Sequence, residues 1–260
     1  MEFTKLKYVV EGAVVTIAMD SPQNLNAFDE VMINELVIAL KLCEEDHNAR
    51  AVVLASTGRA FSAGGDIGVM YKGVKTGMLD FSDTITKMAA VAVAIKKLSK
   101  PVIGAVRGAV AGAGFNVALA CDYVVAAEDA SFIQAFINIG LIPDAGGLYL
   151  LTRAVGVNKA SELAMTGRPV PAVEAKQLGF VAQVVSEEDF EKAVAIAAGR
   201  FAAGPRASFA EIKRLMWESE FKGFEEYVKE EVYSQFACIQ TEDFKEGVCA
   251  FVEKRKPNYQ

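Results

Sequence analysis

Two runs of small residues, each directly behind an apolar, strand-like segment, constrain this chain more than any other feature. Ala60-Phe61-Ser62-Ala63-Gly64-Gly65-Asp66-Ile67 follows Ala51-Val52-Val53-Leu54-Ala55, and Ala109-Val110-Ala111-Gly112-Ala113-Gly114 follows Val102 to Val106. A strand that empties into small residues leaves backbone N–H groups uncovered, because no large side chain stands over them. Uncovered amides suit an oxygen that gains negative charge during a reaction. Such residues also serve in plain turns and in close helix–strand packing, and it is the recurrence of the pattern that favours the reactive use.

The rest of the chain reads as alternating strands and helices. Leu6 to Val10 and Val14 to Met19 are β-branched runs around Glu11-Gly12-Ala13, a hairpin signal. Pro22 to Asn26 is a polar loop, a helix is expected from about Asp29 to Glu45, and Ala51 to Ala55 is a strand. Gly68, Gly73 and Gly77 break the periodicity of residues 68 to 84, which read as a loop or loose helix: a pocket wall, or a surface excursion. A helix over about Phe81–Leu98, a strand over Val102–Val106, a helix ending near Ala120 and a strand over Tyr123–Ala127 follow. This alternation predicts an α/β layer architecture with parallel pairing. From Glu187 onward the pattern is helical only, with a break at Gly204-Pro205. The division expected is a core of residues 1–195 that binds and processes substrate and a helical region of residues 196–260 that serves oligomerisation.

Composition narrows the partners. Hydrophobic residues make up 52% and charged residues 23%, an ordinary balance for a water-soluble domain. Lys plus Arg number 27 against 33 Asp plus Glu, so the formal charge is 27 − 33 = −6, which argues against nucleic acid as a partner. The apolar stretch from Pro101 to Ala127 is interrupted by Arg107, Asn116 and Asp122, so it reads as two buried strands around a glycine turn and a helix, with no membrane partner. The N-terminal residues lack a basic stretch followed by an apolar core, and Cys43, Cys121, Cys238 and Cys249 show no paired spacing; a cytoplasmic location with free thiols is expected. One histidine, His47, in a polar helix end, and scattered cysteines provide no metal site.

The two small-residue segments, with Leu119-Ala120-Cys121-Asp122, Gly140-Leu141-Ile142-Pro143-Asp144-Ala145-Gly146-Gly147 and the tail Glu246 to Lys256, resemble the crotonase superfamily, the enoyl-CoA hydratase/isomerase family, over essentially the whole chain. The resemblance implies a spiral of repeated β-β-α turns, C-terminal helices that assemble a homotrimer or a dimer of trimers, and an acyl-CoA thioester as substrate. No cofactor beyond its coenzyme A moiety is implied. Matched by position, the backbone amides of Ala63 and Ala113 are the expected oxyanion donors. Asn24, Asn26, Ala63, Gly64, Gly65, Asp66 and Ile67 line the expected coenzyme A slot, with Lys254 reaching its phosphates; Asp66 also reads as a brace for the loop amides.

The family's hydratases carry two glutamates that hold a water, and those positions here are Asn116 and Phe136. Neither side chain serves as an acid or base in water addition. A carboxylate stands instead at Asp144, where some members, including double-bond isomerases, carry a catalytic aspartate. One carboxylate suffices to take a proton from one carbon and return it two carbons along. Asp144 also suits a helix N-cap. The expectation is therefore an enoyl-CoA isomerase with Asp144 as acid/base. The alternatives are an enoyl-CoA hydratase with carboxylates from elsewhere, or a catalytically silent acyl-CoA binder.

Overall fold

The computed structural model describes residues 2–259. The hairpin forms as expected: β1 (Leu6–Glu11) and β2 (Val14–Met19) pair antiparallel. Then come α1 (Glu30–Glu45), whose first turn is capped by Asp29, and β3 (Ala51–Ser56). Residues 68 to 84 hold more helix than their glycines suggest, with α2 (Ile67–Thr76) ending at Gly77 and α3 (Ser82–Lys97) soon after. β4 (Val102–Val106), β5 (Ala109–Ala111), α4 (Ala113–Ala120), β6 (Tyr123–Ala127) and β7 (Ser131–Ile133) follow. A 3-10 turn, Ala135–Ile139, leads through the Asp144 loop to α5 (Gly147–Val155) and α6 (Val157–Thr166). β8 (Val170–Pro171), α7 (Ala172–Leu178), β9 (Gln183–Val185) and α8 (Phe190–Ala202) complete the core. The chain closes with α9 (Arg206–Glu220), α10 (Phe224–Ile239) and α11 (Glu242–Val252).

The main sheet has the order β1-β2-β3-β4-β6-β9, parallel except for the β1–β2 hairpin. Its strands read as unbroken apolar runs because both faces are covered. Val52, Leu54, Val102, Val106, Val124 and Ala126 point into the large core that includes α1, α3 and α4. Their neighbours Ala51, Val53, Ile103, Ala105, Val125 and Ala127 meet Phe190, Ala193, Val194, Ala197 and Ala198 of α8. Each buried Val or Ile of these strands contributes about 1.5–3 kcal/mol through burial.

A second, smaller layer explains the spiral. After β3, β4 and β6 the chain steps into this layer at Ser62, β5 and β7; Ser62 bridges Val110, β5 pairs parallel with β7, and β7 pairs antiparallel with β8. Each step places one strand in each sheet before a helix returns the chain. The second-layer strands have three residues or fewer, too short to leave a repeat visible in the sequence.

The boundary expected at 195/196 falls inside α8, which packs on the main sheet and belongs to the core. The helical region proper begins after Gly204-Pro205, with α9 and α10 against α3 and α11 against α2. Among the described residues no helix is long and apolar enough to cross a membrane; the apolar stretch 101–127 divides into β4, β5, α4 and β6.

Candidate active site

The two small-residue segments run side by side. Ser62 N–H donates to Ala109 O (3.1 Å) and Ala111 N–H donates to Ser62 O (2.9 Å). Gly64 and Gly112 touch where the segments are closest: both have positive φ, +92° and +52°, and a Cβ on Gly64 would stand 3.0 Å from Ala111 O. Only glycine combines that backbone with that approach.

The sequence places the first oxyanion donor at Ala63, and the structure corrects this. Ala63 N–H is spent on Leu25 O (2.9 Å), a bond that ties the segment to the 22–26 loop. Gly64 N–H is taken by Ser62 Oγ (3.1 Å) and Asp66 N–H by Phe28 O (3.0 Å). Within Ala63 to Asp66, the amide with no partner among the described residues is that of Gly65. Across from it, Ala113 is the first residue of α4, where helix amides have no intrahelical acceptor, and its N–H is also free. Gly65 and Ala113 are therefore uncovered amides on the two sides of this contact, and the helix N-terminus adds a favourable potential for negative charge. Register along the bridged segment decides which amide is free, and motif position alone misplaces it by two residues.

Asp66 caps α2: its Oδ1 accepts from Gly68 N–H (2.8 Å) and Val69 N–H (3.3 Å), as a loop brace would. Ile67 is half-buried at the start of the same helix. Asn26, expected to face coenzyme A, is wholly buried and fully used inside the protein. It donates to Thr57 O (2.8 Å) and Ala60 O (2.9 Å) and accepts from Ser21 N–H (2.8 Å), leaving its side chain nothing to offer a ligand. Asn24 keeps a buried Oδ1 without a partner. Of the basic tail, Arg255 is held by Glu246 and Glu253, whereas the exposed Lys254 has no ion-pair partner among the described residues.

Asn116 lies on α4 one turn after the free amide and is completely buried. Its Nδ2 donates to Asp144 O (2.8 Å) and its Oδ1 accepts from Gln134 Nε2 (2.7 Å), so both polar atoms are bonded to the chain, one of them to the Asp144 loop. Phe136 is buried with its ring 3.7 Å from where a Cβ of Gly112 would lie, closing that side with an apolar wall.

Asp144 does not cap α5. The residue at that position is Gly146, and no side chain caps the helix. Its Oδ1 is sealed from solvent without a hydrogen-bond partner. Burial in these apolar surroundings pushes its carboxyl up to about 7, against a small lowering by its own backbone amide. The next residue, Ala145, has φ +54°, a left-handed conformation that costs a side-chain-bearing residue roughly 1–2 kcal/mol. Glu231 of α10, which no motif marks, also reaches this loop: it is buried, and its Oε1 and Oε2 accept from Gly146 N–H (2.9 and 3.1 Å).

The raised carboxyl makes a stability prediction. Unfolded, Asp144 ionises near 3.8; folded, it holds its proton to about 7. Raising the pH across that interval therefore lowers stability, because the unfolded state releases its proton first. Asp144→Asn is expected to raise stability at pH 8 by roughly 2 kcal/mol, about half the full linkage value because the side chain is only half-buried. Thermal unfolding at pH 8 and pH 4 checks this; a gain of equal size at both pH values contradicts it.

With this geometry established, the family follows. Residues 10–260 match the model of the enoyl-CoA hydratase/isomerase family. A trans-2-decenoyl-[acyl-carrier-protein] isomerase of Streptococcus mutans is 37% identical over 260 residues, covering 100% of this chain and 99% of that protein. A probable enoyl-CoA hydratase of Rhodobacter capsulatus is also 37% identical, over 259 residues, covering 100% and 99%. The crystal structure of an enoyl-CoA hydratase from Mycobacterium avium subsp. paratuberculosis superposes with a TM-score of 0.91 at 30% identity and full coverage of both chains. The chain belongs to the enoyl-CoA hydratase/isomerase family and has the α/β crotonase fold.

Proposed function

We propose that this protein moves the double bond of an enoyl thioester, with Asp144 as the single acid/base and the amides of Gly65 and Ala113 as the oxyanion donors. The observation that carries the reading is the pairing of an Asp144 carboxyl whose Oδ1 is sealed without a partner with an Asn116 whose Nδ2 and Oδ1 are both already bonded to the protein. In this mechanism the Asp144 carboxylate takes a proton from C2 of a 3-enoyl thioester. The C2–H electron pair moves into a dienolate whose oxygen is held by the two amides. The same carboxyl then delivers its proton to C4, leaving the double bond between C2 and C3. A carboxyl ionising at about 7 suits both halves, since a base and its conjugate acid are then both available near neutral pH.

Water addition has less support here. It needs groups that hold and activate a water, yet Asn116 Nδ2 and Oδ1 are already bonded to the protein, Phe136 has no polar side-chain atom, and the second buried carboxyl, Glu231, is bonded to Gly146 N–H. The thioester carrier is coenzyme A in this reading, with Asn24, Gly64, Asp66 and Ile67 beside its slot and Lys254 as the cation for its phosphates. The C-terminal helices would assemble the homotrimer in which such a tail reaches a neighbouring subunit. The test supplies 3-hexenoyl-CoA and 2-hexenoyl-CoA separately. Isomerisation of the first that depends on Asp144 supports the reading; rapid hydration of the second, unaffected by Asp144→Asn, overturns it.

A further inference from the structure

The loop that carries Asp144 is fastened from two sides, and one side is far away in sequence. Asn116 holds Asp144 O from the α4 side. From the opposite side, Gln235 of α10 makes a two-way amide pair with Ile142, accepting from its N–H (3.0 Å) and donating to its O (2.9 Å). One turn earlier on that helix, Glu231 receives Gly146 N–H on both oxygens. Asp144 thus sits between two anchor points, and the anchored stretch contains successive left-handed residues, Ala145 at φ +54° and Gly146 at φ +71°. Such a backbone persists only where its surroundings over-determine it.

We propose that Glu231 is a positioning residue for Asp144: its carboxyl group holds the strained loop so that Asp144 faces the reacting carbons, and the hold serves catalysis only while Glu231 is uncharged. This rests on the reading of Asp144 as the acid/base. A second negative charge at this spot would oppose both an ionised Asp144 and the enolate that forms beside it. Burial pushes the Glu231 carboxyl up to about 8; the Asp144 carboxylate adds to the rise, while the Gly146 N–H and the Tyr227 phenol oppose it. The groups acting on Glu231 are Gly146 N–H and Asp144 from the loop and the Tyr227 phenol one turn earlier on α10. The charges on the packed elements are engaged elsewhere: Lys97 of α3 pairs with Glu225, Arg153 of α5 reaches Glu220 O, and Glu246 of α11 pairs with Arg255.

The experiment compares Glu231→Gln, Glu231→Ala and Asp144→Asn in the isomerisation of 3-hexenoyl-CoA across pH 5.5 to 9.5. The glutamine keeps an oxygen for Gly146 N–H and cannot ionise, so its kcat at pH 7 is expected near the parent's, with the alkaline fall near pH 8 abolished. The alanine releases the loop, so its kcat is expected to fall about 10²-fold with KM little changed. A Glu231→Gln variant that keeps the parent's alkaline fall overturns the proposal, as does a folded Glu231→Ala variant with parental kcat. If the alanine variant does not fold, the glutamine pH profile decides alone. An Asp144→Asn variant that stays active reports a different failure, that of the acid/base assignment itself.

Discussion

Asp144→Asn is expected to lower isomerisation of 3-hexenoyl-CoA, and exchange of its C2 protons with solvent, by ~10³-fold, within the range a positioned acid/base supplies. The change is close to isosteric. The backbone bonds that place the residue, Asn116 Nδ2 to Asp144 O and Gly147 N–H to Asp144 O (both 2.8 Å), do not involve the carboxyl group. KM should therefore stay near the parent's value and the loss should fall on kcat, the signature of an interaction made in the transition state. Some exchange above the uncatalysed rate should survive, because the proposed oxyanion donors are untouched. An asparagine variant with full exchange activity would remove Asp144 from the chemistry.

Ala113→Pro is the second large effect. Proline lacks an N–H, and the first residue of a helix is where it is best tolerated, since no intrahelical bond is lost there. Ala113 occupies that position in α4, and its N–H is without a partner in the protein. The substitution thus deletes one proposed oxyanion donor while leaving the helix start intact. Loss of a single such donor typically costs ~10²–10³ in rate. The expected result is a folded protein, with unchanged far-ultraviolet circular dichroism, whose kcat on 3-hexenoyl-CoA is lower by that factor. Ala63→Pro offers a contrast: it deletes the bond to Leu25 O, so it should loosen the 22–26 loop and lower thermal stability instead. Equal, purely catalytic losses in both variants would contradict the assignment of Gly65 in place of Ala63.

Much of the fold was legible because its strands are apolar runs buried on both faces and its helices repeat at 3.6 residues. Ala51 to Ala55 and Val102 to Val106 are recognisable for that reason. The second-layer strands were not, since three residues carry no periodicity. Residues 68 to 84 misled because glycine usually weakens a helix, yet Gly73 lies inside α2, where a Cβ would stand 2.7 Å from Met78 O and from the Phe81 ring. At the site, Asp144 stood out as a carboxyl inside an apolar loop. Ala63 and Asn26 were misplaced for a different reason: their partners, Leu25, Thr57 and Ala60, are set by strand register and loop closure that no motif encodes. Glu231 and Gln235 did leave a trace in the sequence. They interrupt the buried stripe of α10 formed by Phe224, Val228 and Ile239, and a carboxyl and an amide at core-facing positions of a helix mark polar groups waiting to be satisfied.

The long reach of those two side chains bears on biosynthesis. Glu231 bonds Gly146 across 85 positions and Gln235 bonds Ile142 across 93, so the backbone around Asp144 gains its last anchors only when α10 has been translated and has docked. A nascent chain can complete both sheets on the ribosome and still hold its acidic loop slack. Reactivity toward thioesters should consequently appear late and abruptly during synthesis, well after the hydrophobic collapse of the sheets.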